Sequence, residues 1–283
     1  MGLINHDAEH ELLVLARGHP YERDALAAVF DALEGYRWSL VEQPAAALLL
    51  AGGNCRGRFD AIVCYDMPGV DFMGAEPGRA VAPPATYVRA MLELMEAGQG
   101  FVFLHHALAA WPAWEDYAQI VGGRFHYRPA RLRGTDYPDS GYRHHVEHTV
   151  SVLADHPVTA GLPPRFTVRD ELYLCPVFEQ DLLPLLGSDF GFVDANFHSA
   201  ERAITGDPGS RAGWTHPPGS ALVGWAKHYR NSPIVYLQGG DDAAALADPH
   251  FRLLVHNAIR WVGSADARAW VQQRHSQPGD RTS

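Results

Sequence analysis

The chain has 283 residues, with 23 Lys and Arg against 33 Asp and Glu, giving a net charge of −10. That balance argues against a phosphate-backbone partner, so nucleic acid is not an expected ligand. Hydrophobic residues make up 47% and charged residues 20%, ordinary for a folded globular chain with ample core material, and 16 histidines stand out.

The N-terminal stretch "MGLINHDAEHELLVLARGH" has no charged segment followed by a long apolar run, and residues 12–16 are too short to cross a membrane. A cytoplasmic chain with no membrane partner is expected. "ELLVLARGHPYERDALAAVFDALEGY" reads as a buried strand, a loop and a helix whose stripe is Leu26, Val29, Phe30 and Leu33. "YRWSLVEQP" and "FDAIVCYDMPGVDF" are the second and third strands. "PPATYVRAMLELMEAGQG" is a helix, and "FVFL" the fourth strand. Strands alternating with helices predict a parallel sheet covered on both faces, with ligands at the carboxyl ends of its strands. The loops "RGHPYERD", "AGGNCRG", "YDMPGVDF" and "HHALAAW" are expected at that end.

From residue 110 to about 148 the sequence is loop-rich, aromatic and rich in His, a pattern that usually carries function. "HHVEHTVSVL", "RFTVRDELYLCP", "ALVGWAKHY" and "SPIVYLQ" follow as strands, and "DPHFRLLVHNAIRWVG" as a helix with Asp248 near its start and Gly263 past its end. With no repeat or linker, residues 1–263 read as one α/β domain and 264–283 as a flexible tail.

Chemistry-bearing residues cluster at the expected end. His105 and His106 leave the fourth strand together, and neutral imidazole serves as a metal ligand or a general base near pH 7. Adjacent residues leaving a strand point to opposite faces, so one is expected in the pocket and the other in support. Glu171 sits beside Asp170 and Tyr173 in a strand that disfavours acids, and could orient a histidine. His148 lies on an otherwise apolar face, either as a satisfied core histidine or as a metal ligand alongside His105 and His106. His19 and Glu22 follow the first strand, where helix capping competes with a pocket role. Trp225 and Lys227 in "GWAKHYRNSP" suit a sugar or a plain turn. Cys55, Cys64 and Cys175 are odd in number and form no CxxC, which argues against a disulfide framework or a cysteine zinc site. No GxGxxG, P-loop or GxSxG motif is present, so no nucleotide cofactor is expected.

Together "GFVFLHHALAAWPAW", "GGRFHY", "DSGYRHHVEHTVSV", "HPVTAGL", "RDELY", "SPIVYLQGGDD" and "FRLLVHNAIRWV" resemble the ThuA-like, trehalose-utilisation family. The resemblance covers residues 11–263. It implies a flavodoxin-like three-layer α/β sandwich with a mostly parallel sheet, of the class I glutamine-amidotransferase type. In that fold an elbow cysteine hydrolyses glutamine. His105 stands in its place and Ala107 in that of the second elbow glycine, so glutamine hydrolysis is not expected. The histidine many members carry in the turn after the last strand is missing from "LQGGDD", where Gly240 stands, so the site either lacks that group or uses Asp241 and Asp242 in its place.

The resemblance implies a small carbohydrate as ligand. Expected is a glycoside or 3-keto-glycoside hydrolase or lyase working by acid/base or metal-assisted C–O cleavage. His105 or His106 would be base or ligand, Glu171 would orient, and His19, Glu22, His126, Tyr173, Trp225 and Lys227 would bind substrate. A divalent metal, zinc or similar, is the candidate cofactor, and a second copy of the chain a candidate partner. The alternative is a sugar- or metabolite-binding protein without chemistry.

Overall fold

The computed structural model describes residues 7–276. In chain order it forms β1 (His10–Arg17), α1 (Arg23–Asp31), β2 (Tyr36–Glu42), α2 (Ala45–Ala51), β3 (Ala61–Asp66), a hairpin of β4 (Val70–Asp71) and β5 (Arg79–Ala80), α3 (Ala85–Glu96) and β6 (Gly100–Leu104). A 3-10 turn at His105–Ala109 leads to α4 (Glu115–Val121), a hairpin of β7 (Ala130–Leu132) and β8 (Thr135–Tyr137), β9 (Gly141–Val152), β10 (Arg165–Leu174) and β11 (Leu183–Ser188). Then come β12 (His198–Ser199), α5 (Ala200–Ile204), β13 (Leu222–Tyr229), β14 (Ser232–Leu237), α6 (Ala243–Ala247), α7 (Pro249–Val262) and α8 (Ala265–His275).

The main sheet runs β10-β9-β11-β13-β14-β6-β3-β1-β2. β2, β1, β3, β6 and β14 are mutually parallel. Counted in chain order, these five strands stand 2-1-3-4-5, the flavodoxin order. β13, β11, β9 and β10 extend the sheet by antiparallel pairings.

The central strands are apolar throughout because helices cover both faces. In β1, Leu12, Val14 and Ala16 face one core layer with α1 and α7, and Leu13 and Leu15 face the other with α2, α3 and α4. Helix α7 starts where the sequence places it. The Asp248 carboxylate accepts the amides of His250 and Phe251, Pro249 occupies the first turn, and Phe251, Leu254, Val255 and Ala258 are buried.

Three expectations change. "AAALLLA" forms α2, which the sequence reading passed over. The "AGGNCRG" loop therefore follows α2 and enters β3 from its amino end, away from the ligand-binding end. The tail is ordered over Ala265–His275, where Ser264 caps α8 and Ala267 and Val271 are buried. Residues 277–283 of the expected tail lie outside the described residues.

Candidate functional site

The parallel strands end at one edge of the sheet. β10 runs in the same sense as β14 and β9 in the opposite sense, so the last third of β10 and the first third of β9 reach that edge too. β6 stops at Leu104 and the chain turns sharply. His105 adopts φ +45°, a left-handed conformation costly for a side-chain-bearing residue and common at functional sites. The elbow leaves both its imidazole and that of His106 buried.

Strand alternation puts Glu171 and Tyr173 on the His105 side of β10 and Asp170 and Leu172 on the other. Pairing jumps from Asp170–Val146 to Leu172–Arg143, so Glu171 opposes two residues, His144 and His145. This is a β-bulge, with His145 at φ +55°.

His105 Nδ1 lies 2.6 Å from the Gln238 carbonyl. A carbonyl only accepts, so Nδ1 carries a proton and Nε2 is the working nitrogen. It meets the Tyr173 hydroxyl at 2.8 Å, Glu171 Oε2 at 3.0 Å and Asp241 Oδ1 at 3.4 Å. His144 Nδ1 bridges the same carboxylates from the other side, at 3.2 Å from Glu171 Oε1 and 3.4 Å from Asp241 Oδ2. Its side chain is 48% exposed, whereas Glu171 is 4% exposed and His105 fully buried.

These contacts fix the charges. Burial alone would lower the His105 pKa, but hydrogen bonds and charge from Asp241 and Glu171 override it and raise it to about 10. Burial opposes ionisation of Asp241, yet His105 and His144 hold its pKa below the ordinary carboxylate range. The Asp241 hydrogen bond raises His144. His106, with no carboxylate in hydrogen-bond contact, is pushed well below 6.5 by burial and by the neighbouring His105 and His19 rings.

Asp170 anchors the arrangement from the reverse face of β10. Its Oδ1 accepts the amides of Glu171 at 2.8 Å and Asp241 at 3.1 Å, and Oδ2 accepts that of Gly240 at 2.7 Å. One buried carboxylate thus ties the turn carrying Asp241 to the strand carrying Glu171.

Of the residues singled out from sequence, His105, Glu171 and Tyr173 meet. His106 donates from Nε2 to the Tyr65 carbonyl at 2.9 Å and stacks on His19, ring centroids 4.6 Å apart. His19 is thereby held, half-buried, beside the centre. Glu22 is exposed at the N-cap of α1, outside the cluster. His126 is buried elsewhere, its amide on Ser140 Oγ and its pKa pushed down to about 3 by burial. His148 contacts Ser188 Oγ at 2.8 Å on the opposite face of β9.

Trp225 and Lys227 are not at the site. Trp225 is fully buried, donates to the Val121 carbonyl at 2.8 Å and stacks on Tyr236, while Lys227 donates to the Gln119 carbonyl. Among the described residues, the group spaced to share a metal is His105, Glu171 and Asp241, with donor atoms within 4.8 Å of one another. His106 and His148, expected as ligands, are not in it. His144, beside that group, was given no role from sequence, and Asp241 was named there only as a substitute for the missing turn histidine; the "RHH" beside β9 and the double acid of "LQGGDD" were the available signals.

Fold and site define a flavodoxin-like α/β protein with a histidine–carboxylate centre at the elbow after β6. The chain belongs to the ThuA family, described as trehalose utilisation, whose profile matches residues 59–262. That description suggests a role in sugar metabolism. A ThuA-like protein from Parabacteroides merdae superposes with a TM-score of 0.61 at 16% identity, covering 90% of each chain. One from Bacteroides uniformis gives 0.61 at 18% identity, over 92% of this chain and 94% of that one. A cytoplasmic protein from Salmonella typhimurium gives 0.51 at 8% identity, over 89% and 99%. At these identities the likeness concerns the fold. No curated protein matches the chain. No described helix is long and apolar enough to cross a membrane.

Proposed function

We propose that the chain is a sugar-processing enzyme acting on a glycoside or 3-keto-glycoside by proton transfer and C–O cleavage at the His105–Glu171–Asp241–His144 centre. The observation that carries this is the convergence of two carboxylates and two imidazoles on one another at the strand ends. A 3-keto group acidifies the neighbouring C–H, and removing that proton lets the adjacent C–O bond break. His144 is the accessible acid/base. Its Nδ1 is oriented by Glu171 and Asp241, as a carboxylate orients a catalytic imidazole, and its half-exposed ring is open to ligand. His105, held as a cation by the same carboxylates, is a poor base and balances their charge, so the base first sought in His105 or His106 moves to His144. The buried, neutral Cys64 and Cys175 cannot replace the elbow nucleophile, which argues against glutamine hydrolysis.

The same atoms fit a divalent cation in place of the His105 Nε2 proton. His105, Glu171 and Asp241 would hold it, with His144 Nδ1 alongside. Mixed N and O donors suit zinc or a similar ion, and the Nδ1–carbonyl contact is the usual outer support of a ligating histidine. Such an ion supplies Lewis-acid polarisation of a sugar oxygen.

A panel of glycosides and 3-keto-glycosides, assayed with and without added zinc, tests the reading. His144→Gln and Glu171→Gln are expected to lower turnover by about 10²–10⁴ while the fold is kept. Wild-type turnover in both variants would overturn the assignment. Sugar binding with no turnover across the panel would move the chain to the non-catalytic reading.

A further inference from the structure

The strands that carry His144 and Glu171 have a cavity against their other face. It has a volume of about 170 Å³ and lies between β9, β10 and the helices α6 and α7. Its walls are apolar, with Val150, Phe166, Leu172, Leu237, Phe251 and Leu254 among them. Polar residues interrupt them: His148, Arg169, Asp170, Glu171, Gln238 and Asp248. His148 is anchored through Nδ1 on Ser188 Oγ and kept neutral by burial, which pushes it down to about 4. Asp170 is the carboxylate that holds the Gly240 and Asp241 amides.

We propose that this cavity is a second ligand site, for an uncharged molecule the size of one six-membered ring carrying a hydroxyl, and that its occupancy restrains the turn bearing Asp241. Size sets the first condition, since an apolar cavity of roughly 150 Å³ is enough for benzene. Charge sets the second. An anion would meet the carboxylates of Asp170 and Asp248 in the walls, where the one Lys or Arg of the lining, Arg169, is exposed to water, and a cation would lose its water against hydrocarbon. A hydroxyl finds partners in the neutral imidazole and the carboxylate.

The coupling follows from packing. A Cβ built on Gly239 would lie 2.9 Å from Asp170 Oδ2 and 3.0 Å from the Phe251 ring, so the turn rests directly on two of the cavity walls. A molecule filling the cavity presses Asp170 and Phe251 into their present positions. Asp241, on the far side of Asp170, loses freedom with them.

The test needs no turnover and is independent of the reaction proposed above. Phenol is titrated into the full chain and followed by calorimetry and thermal unfolding, with benzoate as the charged control. A saturable heat and a Tm that rises with phenol are expected, with benzoate at least about tenfold weaker. Ala244→Phe obstructs the cavity from an exposed helical position, and Val168→Phe fills it from β10. Each, once shown to be folded by circular dichroism, is expected to weaken phenol about tenfold or more. Amide exchange at Gly240 and Asp241 is expected to slow at saturating phenol. No saturable binding, benzoate binding as tightly as phenol, or wild-type affinity in folded Ala244→Phe would overturn the site. Unchanged exchange at saturation would overturn the coupling.

Discussion

Asp170→Asn isolates the device that assembles the centre. The substitution keeps the shape of the side chain and removes its charge. An asparagine oxygen in the Oδ1 position can keep the amides of Glu171 and Asp241, but its NH₂ then faces the Gly240 amide, formerly 2.7 Å from Oδ2. One charge-assisted hydrogen bond is lost, about 1.5–3 kcal/mol, and buried donors are left facing each other, about 1–3 kcal/mol more. Burial raises the Asp170 pKa to about 6, so relief from burying a charge returns part of this. The expected net loss is roughly 2–4 kcal/mol, or about 4–16 °C in Tm for a chain of this size. Calorimetric unfolding measures it. Because the turn carries Asp241, zinc affinity measured by titration should fall about 10- to 100-fold, the usual effect of removing an outer support. Wild-type Tm together with wild-type zinc affinity would refute the idea that Asp170 joins the turn to β10.

Two further predictions concern residues away from the centre. Burial depresses His126 to about 3 and His148 and His156 to about 4, so the unfolded chain takes up their protons first, near pH 6.5. Stability should therefore fall as pH drops from 6.5 towards 4, by up to about 3 kcal/mol per group. Asp66 and Asp170, each raised to about 6 by burial, act in the opposite direction but are two groups against three. His156 Nδ1 accepts the Val158 amide at 3.2 Å, so His156→Asn keeps a cap and removes a proton site. Denaturant titrations across pH should show a shallower acid loss in that variant; an identical slope would refute its share. Trp225→Phe and Lys227→Met should cost about 1–3 kcal/mol of stability through lost core hydrogen bonds and packing. Calorimetric titration with sugars should find affinity unchanged in both, and a selective loss of affinity would restore their ligand role.

What the sequence discloses follows the range of the interactions involved. His105 was legible because an apolar strand that stops at a turn is a local pattern, and the strand-end rule for α/β sheets does the rest. Glu171 was legible as an acid in a strand that should not tolerate one. Asp241 and His144 needed two pairings that no local pattern contains: the bulge that sets His144 opposite Glu171, and the Asp170 clamp across 71 residues. Trp225 and Lys227 misled because alternation tells which residues share a face but not what covers it; α4 covers theirs, and its carbonyls take both donors.

The adjacent histidines make the point most sharply. Both leave β6 at the same elbow, both are buried, and burial lowers the pKa of each. One then turns towards two carboxylates supplied by β10 and the turn after β14, and becomes a cation. The other turns towards the Tyr65 carbonyl and the His19 ring and stays neutral. Their chemistry diverges through partners 41 and more residues away in the chain, so a paired histidine motif fixes the place of a site while long-range register fixes which ring acts in it.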